Sequence, residues 1–357
     1  MVRTVHGKVA KRVASPKCFE PLELRGIRLN NHFVAAPVAS GTGEEHSGAP
    51  SSRARELYTP LAASGVGMVV LEHAAVRADG KVRRGQFLLD RDDLVGAYST
   101  LLEPFREAGT PVVIQLNHAG SAVKDSKLLV PGFVAVSASS VPHPRDEIGV
   151  VPRPLAEREM PLLVEDFAAA ARRALQAGFA GVELHACHGF LLGQFLSPVT
   201  NHRRDAYGGD VRGRSRLLRE LVDALRGVVG DAVLAVRLGV SDALPGEKSP
   251  GMDVEEAVWV ARELAAQGVD VVDVSGNLCG YDGSGEAWWA PFARRLREVC
   301  GGHPLVICSG GIRSVKTAEE LLEGRICDLV GLGRPLRRDP GLVRAWAQGL
   351  TTVAPER

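Results

Sequence analysis

The chain has 357 residues, a formal net charge of +1 and 45% hydrophobic residues. The near-neutral charge leaves no electrostatic footprint for nucleic acid, and no apolar run reaches the ~20 residues that span a bilayer. This length is enough for two ordinary domains or for one (β/α)8 barrel with insertions.

The N-terminal segment is basic and lacks the apolar core of a secretory signal. We expect residues 1–16 to form a disordered arm, with binding of a partner as the alternative. The six cysteines form no C-x-x-C pair, which argues against an iron–sulfur cluster or a structural zinc. We expect them to be buried and reduced, which indicates a cytoplasmic location.

Short apolar runs alternate with longer amphipathic segments along the chain. Near-continuous Val, Leu and Ile runs are typical of parallel strands that are covered on both faces. Strands are expected at residues 32–37, 67–73, 111–116, 181–185, 234–238, 269–275, 304–311 and 328–333. Helices are expected at about residues 51–64, 92–108, 164–177, 212–229, 253–267, 289–299, 314–323 and 339–349. Several helices end at a glycine with C-cap character, namely Gly65, Gly109, Gly178, Gly230, Gly268 and Gly324.

Eight strands in alternation with eight helices predict an α/β fold of the (β/α)8 TIM-barrel class. A doubly wound sheet would need a G-x-G-x-x-G turn that leads directly into a helix, and "APVASGTGEE" is not followed by one closely enough. Residues 17–30 predict a hairpin that closes the barrel floor. We expect one domain over residues 17–350, a lid-like insertion at 118–160 after the third strand, and a tail at 351–357.

Catalytic residues of this fold lie at the carboxyl ends of the strands. The polar candidates at these ends are Glu72, His73, Gln115, Asn117, His118, Glu183, His185, His188, Arg237, Ser275, Ser309, Gly310, Gly311, Gly333 and Arg334. Polar groups that converge at one end of an apolar barrel are costly to bury without a ligand or good pairing.

The last two strand ends indicate a phosphate site. "SGGIRS" and "GLGRP" supply glycines for close approach of backbone N–H groups, and Arg334 supplies a guanidinium. Ordinary tight turns are the alternative. Gln115 and Arg237 offer an amide and a permanent cation that suit a heteroaromatic ring, with a salt bridge from Arg237 to Glu183 or Asp273 as the structural alternative.

His185 and His188 admit three interpretations. A zinc pair would need further ligands, for which Glu72 or Asp273 are the candidates, and core histidines with satisfied partners are the second interpretation. The third interpretation is a pair of donors that holds a substrate oxygen where negative charge develops. With a phosphate site and a ring site in the same barrel mouth, the third interpretation is favoured.

The motifs together resemble the old yellow enzyme family of NADH:flavin oxidoreductases, or ene-reductases, and in particular its short single-barrel members. The segment "GFAGVELHACHGFLLGQFLSPVTNHRRDAYGGD" carries the resemblance most specifically, and "NNHFVAAPV", "VVIQLNHAG", "AVRLGVSD" and "DLVGLGRPLRRDP" match in order. The resemblance implies noncovalent FMN, reduction by NAD(P)H, and hydride delivery to the alkene of an α,β-unsaturated carbonyl compound. Homo-oligomers are common among such enzymes.

The resemblance also implies roles for individual residues. The flavin would rest on Ala36, Pro37, Val38 and Ala39, with the backbone of His73 beside the ring. Gln115 would bond the pyrimidine edge and Arg237 the N1/O2 region. Ser309, Gly310, Gly311, Gly333 and Arg334 would hold the phosphate. His185 and His188 would bind the carbonyl oxygen of the substrate.

Phe190 departs from the family pattern, because most relatives carry at this position the tyrosine that protonates the α-carbon. General acid catalysis contributes about 10²–10⁴ in rate, so the chain either uses another donor, uses water, or catalyses a different reaction. Tyr281 and Cys187 are candidate donors, whereas Tyr207 is interpreted as structural. Small residues at Val38, Ala39 and Gly41 further predict a shifted redox potential and a roomier pocket.

The leading hypothesis is therefore an FMN-dependent ene-reductase acting on a small molecule. A flavin-dependent double-bond isomerase or a dehydrogenase is the alternative on the same scaffold. Hypotheses of a different class are a flavin-free barrel, such as a metal hydrolase or a phosphate-binding lyase, and a barrel that binds a ligand without turnover.

Overall fold

The computed structural model describes residues 16–145, 148–279 and 283–350, and within them it shows a mixed α/β chain. Its strands are β1 (Leu22–Leu24), β2 (Ile27–Leu29), β3 (Phe33–Ala35), β4 (Met68–Ala75), β5 (Phe87–Leu88), β6 (Val112–Asn117), β7 (Val136–Ser137), β8 (Arg153–Pro154), β9 (Gly181–Ala186), β10 (Val233–Gly239), β11 (Val271–Ser275), β12 (Leu305–Cys308) and β13 (Leu329–Leu332). Its helices are α1 (Ser52–Ala62), α2 (Val95–Leu101), α3 (Glu103–Ala108), α4 (Met160–Ala177), α5 (Leu191–Leu196), α6 (Val211–Arg214), α7 (Arg216–Val229), α8 (Val254–Ala266), α9 (Ala290–Cys300), α10 (Val315–Glu323), α11 (Arg334–Arg338) and α12 (Leu342–Ala347). None of these helices is long and apolar enough to cross a membrane.

Eight parallel strands form a closed barrel in the order β3-β13-β12-β11-β10-β9-β6-β4. The pairing of β3 with β4 closes the ring, and nearly every residue of these strands is buried. A closed ring confirms the predicted TIM barrel and excludes the doubly wound sheet, which would leave two open edges.

The hairpin of β1 and β2 closes the floor of the barrel, as predicted. Its Leu24 and Leu29 pack against interior residues from the amino-terminal halves of the strands, including Met68, Val233 and Val271. Arg25 at its tip reaches Asp270, with 3.4 Å between Nε and Oδ1. The barrel is therefore filled from below, which leaves the opposite end for ligands.

The helices differ from the prediction at several ends. The predicted helix at 92–108 is interrupted at Leu102, because Pro104 lies in the first turn of α3 and favours a new start there. The predicted helix at 339–349 is α12 alone, and the separate helix α11 was missed. Gly109 and Gly178 end α3 and α4 in the left-handed conformation, as predicted, whereas Gly324 has φ −70° and Arg325 takes φ 51° instead.

The predicted insertion runs from the end of β6 to the start of α4 and lies at the carboxyl end of the barrel. Gln194 of α5 anchors it, because its Oε1 accepts from Ser137 Oγ at 2.7 Å and from Ser121 N at 3.1 Å. Gly120, with φ 64°, allows this approach, since a Cβ there would lie 2.1 Å from the same oxygen. The lid-like role of this segment stays a prediction.

Gly181 begins β9, and its α-hydrogen faces the backbone of β10. A Cβ at this position would lie 2.1 Å from the carbonyl oxygen of Val233. We expect Gly181→Ala to lower the free energy of unfolding by about 1–3 kcal/mol, as overpacking of a core does. Gly227→Ala is the control, because nothing lies within 4 Å of a Cβ there and alanine stabilises a helix by about 0.5–1 kcal/mol relative to glycine. Urea denaturation measures both, and equal effects of the two substitutions would contradict the close strand contact.

Candidate active site

A tight turn after β9 brings His185 and His188 together. Phe190 N donates to Cys187 O at 3.2 Å, and the two central residues, His188 and Gly189, have φ 56° and 69°. Positive φ at both positions is the type I′ conformation, which costs a non-glycine residue about 1–2 kcal/mol. Through this turn, His188 Nδ1 lies 3.2 Å from His185 Nε2. The strained backbone thus brings one ring nitrogen of His185 and one of His188 close enough to contact the same ligand atom.

A third imidazole lies in the same mouth. The ring of His73 is 5.7 Å from that of His185 and 5.5 Å from that of Phe190, centroid to centroid. Gln86 fixes its tautomer: Gln86 Oε1 accepts from Val82 N, so Gln86 Nε2 donates to His73 Nδ1 at 2.7 Å. The proton of the neutral ring is then on Nε2. The sequence prediction gave His73 a role through its backbone only and missed this side-chain placement.

Phe190 lies between these imidazoles and an apolar wall. Its ring centroid is 4.7 Å from that of His185, and it packs in a cluster with Val82, Ala119 and Ala122. The phenyl ring is thus held at the edge of the mouth, and the side chains of its cluster carry no proton that could be transferred.

All three imidazoles are neutral at ordinary pH. Burial and, to a smaller extent, the charges of Arg83, Lys124 and Arg237 together lower the pKa of His73 to about 3. Burial also holds the pKa values of His185 and His188 well below the usual range, with Arg237 and Lys124 acting in the same direction. A neutral imidazole carries one N–H donor and one lone pair, so each ring can donate to an oxygen without first binding a proton.

A polar layer lies beneath the imidazoles, on four neighbouring strands. Gln115 Nε2 donates to Glu183 Oε1 at 2.8 Å, and Arg237 Nε lies 3.1 Å from Asp273 Oδ2. The salt bridge considered for Arg237 is therefore present, with Asp273 as its partner. Burial raises the pKa values of both Glu183 and Asp273, and Arg237 opposes the rise.

Several buried polar atoms around this layer have no hydrogen-bond partner within the residues that the structure describes. They include both side-chain polar atoms of Asn117, Nδ1 of His185, Oε2 of Glu183 and Oδ1 of Asp273. Buried polar groups in proteins are nearly always bonded, so these atoms are suited to a ligand with several donors and acceptors. A flavin ring fits this chemistry, and Asn117, which the sequence placed at a strand end without assigning it a role, joins the set.

The two loops predicted to hold a phosphate are adjacent. A Cβ on Gly331 would meet Ser309 Cβ at 2.9 Å, and a Cβ on Gly333 would meet Val38 at 3.2 Å. Ala36 N donates to Leu332 O at 3.0 Å, which joins the end of β3 to the same cradle. The indole of Trp288 packs so closely on Gly310 and Gly311 that a Cβ on either would clash. This packing alone requires the two glycines, so their contact with phosphate stays a prediction.

Other sequence candidates lie outside the mouth. Glu72 accepts from Tyr58 OH at 2.7 Å and from Ser40, so the interpretation of Glu72 as a zinc ligand was wrong. His118 approaches Asp79 at 3.8 Å. Tyr207 donates to Glu220 at 2.9 Å, in keeping with a structural role.

Of the two candidate proton donors, only Cys187 lies within the described residues. Burial raises the pKa of the Cys187 thiol well above its ordinary value, so this group is a poor acid. Tyr281 lies outside the described residues.

The buried carboxyl of Glu183 predicts a pH dependence of stability. Its pKa is raised in the folded chain, so the native state holds the proton more tightly than the unfolded state does. We expect stability to fall as the pH rises above the ordinary carboxyl value of about 4.3 and through neutrality. Glu183→Gln is expected to flatten this slope, and exposed Glu323→Gln is the control. Denaturation midpoints from pH 5 to 8 measure the effect, and an unchanged slope in Glu183→Gln would contradict it.

Comparison with known proteins gives the family of the chain. A model described as the NADH:flavin oxidoreductase / NADH oxidase family matches residues 17–352. The NADPH dehydrogenase of Bacillus subtilis (strain 168) is 32% identical over 342 residues, which cover 95% of this chain and 96% of that protein. The NADPH dehydrogenase of Listeria innocua serovar 6a is 32% identical over 348 residues, which cover 96% and 98%.

Solved structures show the same likeness. The old yellow enzyme homologue from Zymomonas mobilis aligns with a TM-score of 0.80 at 26% identity, covering 95% of this chain and 94% of that one. Morphinone reductase, solved in complex with tetrahydroNAD, aligns with a TM-score of 0.80 at 25% identity, covering 96% and 93%. Because the family model spans nearly the whole chain, the protein belongs to the NADH:flavin oxidoreductase / NADH oxidase family of old yellow enzymes and is an FMN-dependent NAD(P)H oxidoreductase.

Proposed function

We propose that this oxidoreductase reduces the activated double bond of an α,β-unsaturated carbonyl compound. The observation that carries the proposal is the convergence of two neutral imidazoles, with His185 Nε2 and His188 Nδ1 3.2 Å apart, above a layer of unpaired buried polar atoms. Bound FMN supplies the hydride chemistry.

The residues that would hold FMN come from six strand ends. They are Ala36, Pro37, Val38 and Ala39 after β3, His73 on β4, Gln115 on β6, Arg237 on β10, Ser309, Gly310 and Gly311 after β12, and Gly333 and Arg334 after β13. Arg237 would place a permanent cation beside the ring, and Gln115 an amide. The unpaired atoms of Asn117, Glu183 and Asp273 add donors and acceptors that bulk water does not reach.

His185 and His188 would donate hydrogen bonds to the carbonyl oxygen of the substrate. Such bonds strengthen as negative charge develops on that oxygen, and they act most strongly where water is excluded. The low pKa values of both rings keep them as fixed N–H donors rather than acids. The imidazoles would therefore polarise the substrate without protonating it.

Phe190 favours a second candidate function on the same scaffold. Its phenyl ring lies among Val82, Ala119 and Ala122, so this wall of the mouth has no proton donor for the α-carbon. Without efficient protonation, isomerisation of a double bond, or dehydrogenation of a saturated precursor, competes with net reduction. Product analysis decides among the three.

The rim of the mouth suits an anionic dinucleotide as reductant. Arg83 and Lys124 are exposed, and neither forms an ion pair with any residue in the described ranges. Lys124 N donates to Val82 O at 2.8 Å, which joins the backbone segments that carry the two cations. Both charges act on His73 in the mouth. The neighbouring acids Glu45 and Asp125 pair with Arg84 instead. We propose that NADPH, the cosubstrate in the names of the relatives, reduces the enzyme.

The test begins with purified protein. We expect a yellow preparation that releases FMN on denaturation and that NADPH bleaches under anaerobic conditions. Incubation with an enone and excess NADPH then separates the candidates, since reduction consumes NADPH in proportion to product and isomerisation consumes none. Protein that binds no FMN on reconstitution would overturn the proposal.

A further inference from the structure

We propose that His185, Cys187 and His188 form a zinc site in the barrel mouth. One donor atom from each of the three side chains lies within 4.8 Å of the donor atoms of the other two. The inference goes beyond the proposed function, because the reaction does not use the thiol of Cys187.

The distances fit tetrahedral coordination. With Zn–N near 2.0 Å and Zn–S near 2.3 Å, tetrahedral angles place two nitrogens about 3.3 Å apart and a nitrogen and a sulfur about 3.6 Å apart. The structure has 3.2 Å between His185 Nε2 and His188 Nδ1, and 3.8 Å between His185 Nε2 and Cys187 Sγ. Two of the three distances thus match tetrahedral coordination, and the third, between Cys187 Sγ and a ring nitrogen of His188, is within 4.8 Å.

The donor chemistry selects a borderline-soft cation. Two imidazoles and one thiolate are typical zinc ligands, and three protein ligands leave the fourth position open to the mouth. His188 also has the outer partner expected of a metal-binding imidazole. If His188 Nδ1 carries the lone pair, the proton is on Nε2 and is donated to Ser275 Oγ at 2.7 Å.

Binding would release the proton of the Cys187 thiol to solvent, with no transfer of electrons. The ion would take the lone pairs of both imidazole nitrogens and would occupy the point at which the substrate oxygen is expected. Zinc should therefore inhibit turnover in competition with the carbonyl substrate. The turn that positions His185 and His188 for the substrate oxygen thus also positions them for a metal ion, which would block substrate binding.

The experiment uses the holoenzyme after treatment with a chelator. We expect Zn²⁺ to bind at one equivalent per chain, and X-ray absorption at the zinc edge to show one sulfur and two imidazole nitrogens. Cys187→Ala and Cys187→Ser should weaken zinc binding by about 100-fold or more, since even loss of an outer partner costs about 10- to 100-fold. Cys300→Ser, which changes a half-buried thiol on α9, is the control and should bind zinc as the wild type does.

Inhibition by zinc is compared with the turnover of each variant in the presence of chelator, so any effect of the substitution on turnover itself cancels. Equal zinc affinity of wild type and Cys187→Ala, or a zinc spectrum without sulfur, would overturn the proposal. Zinc stoichiometry is measured without turnover, so failure of the zinc site is distinguishable from failure of the reductase proposal, which appears as absent flavin or absent reaction with NADPH.

Discussion

Phe190→Tyr is expected to raise the turnover of a small enone such as 2-cyclohexenone by about 10²-fold or more, because general acid catalysis contributes about 10²–10⁴ in rate. The substitution adds one hydroxyl group at the edge of a ring that is 7% exposed. The ring lies beside the imidazoles of His185 and His73, with centroids 4.7 and 5.5 Å away. Single-turnover reaction of the reduced enzyme with the enone measures the effect on the step concerned.

Phe190→Leu is the matched control, because it keeps an apolar side chain and adds no proton. We expect it to change single-turnover rates by a few-fold at most, through packing against Val82, Ala119 and Ala122. Equal rates for Phe190→Tyr and wild type would show that protonation at this position does not limit the reaction. In that case the missing tyrosine no longer supports isomerisation or dehydrogenation over reduction, and the product ratio should be the same in both proteins.

The barrel and its active end could be predicted because each strand carries its own signal. Runs such as "VVIQLN" and "VDVVDVS" are apolar enough to indicate burial on both faces, and the fold itself gathers their carboxyl ends. The topology alone therefore predicts that Gln115, Arg237 and the two histidines lie close together. The five residues of α11 are too few for a periodic signal, and the predicted helix at 92–108 did not take account of Pro104, which starts a new helix after Leu102.

The details that were missed depend on contacts between distant segments. In β4 the register shifts between Leu71 and Ala74, so that Glu72 bonds with Tyr58 of α1 while His73 contacts the rings of the mouth. The tautomer of His73 depends in turn on Gln86, thirteen residues away. Likewise, the positive φ of His188 could not be predicted from its side chain, because only glycine favours that conformation intrinsically.

Arg237→Met is expected to lower the free energy of unfolding by about 3–5 kcal/mol, which is the range for removing one partner of a buried ion pair. Arg237 is the cation that opposes the raised pKa values of both Glu183 and Asp273. Without it, two buried carboxyl groups must be either desolvated as anions or protonated. The same substitution should reduce the flavin retained on purification, which the ratio of flavin to protein absorbance measures.

The pH dependence and a second substitution separate charge from packing. Below the raised carboxyl pKa values the two groups are protonated, so the loss caused by Arg237→Met should be smaller at pH 5 than at pH 8. Asp273→Asn in the Arg237→Met background removes one uncompensated anion and should restore part of the stability. If the loss is instead independent of pH and unaffected by Asp273→Asn, it comes from the cavity left by the guanidinium.

A second arginine provides the comparison for this charge argument. Arg226 pairs with Asp270 at 2.6 Å near the opposite end of the barrel, and Leu234 N also donates to the same carboxylate. After the substitution, Leu234 N still donates to Asp270, and the Arg226 side chain is already partly exposed to water. Arg226→Met should therefore lower the free energy of unfolding by only about 1 kcal/mol. If Arg226→Met lowers the free energy of unfolding as much as Arg237→Met does, the large effect at Arg237 does not come from the two buried carboxyl groups beneath the imidazoles.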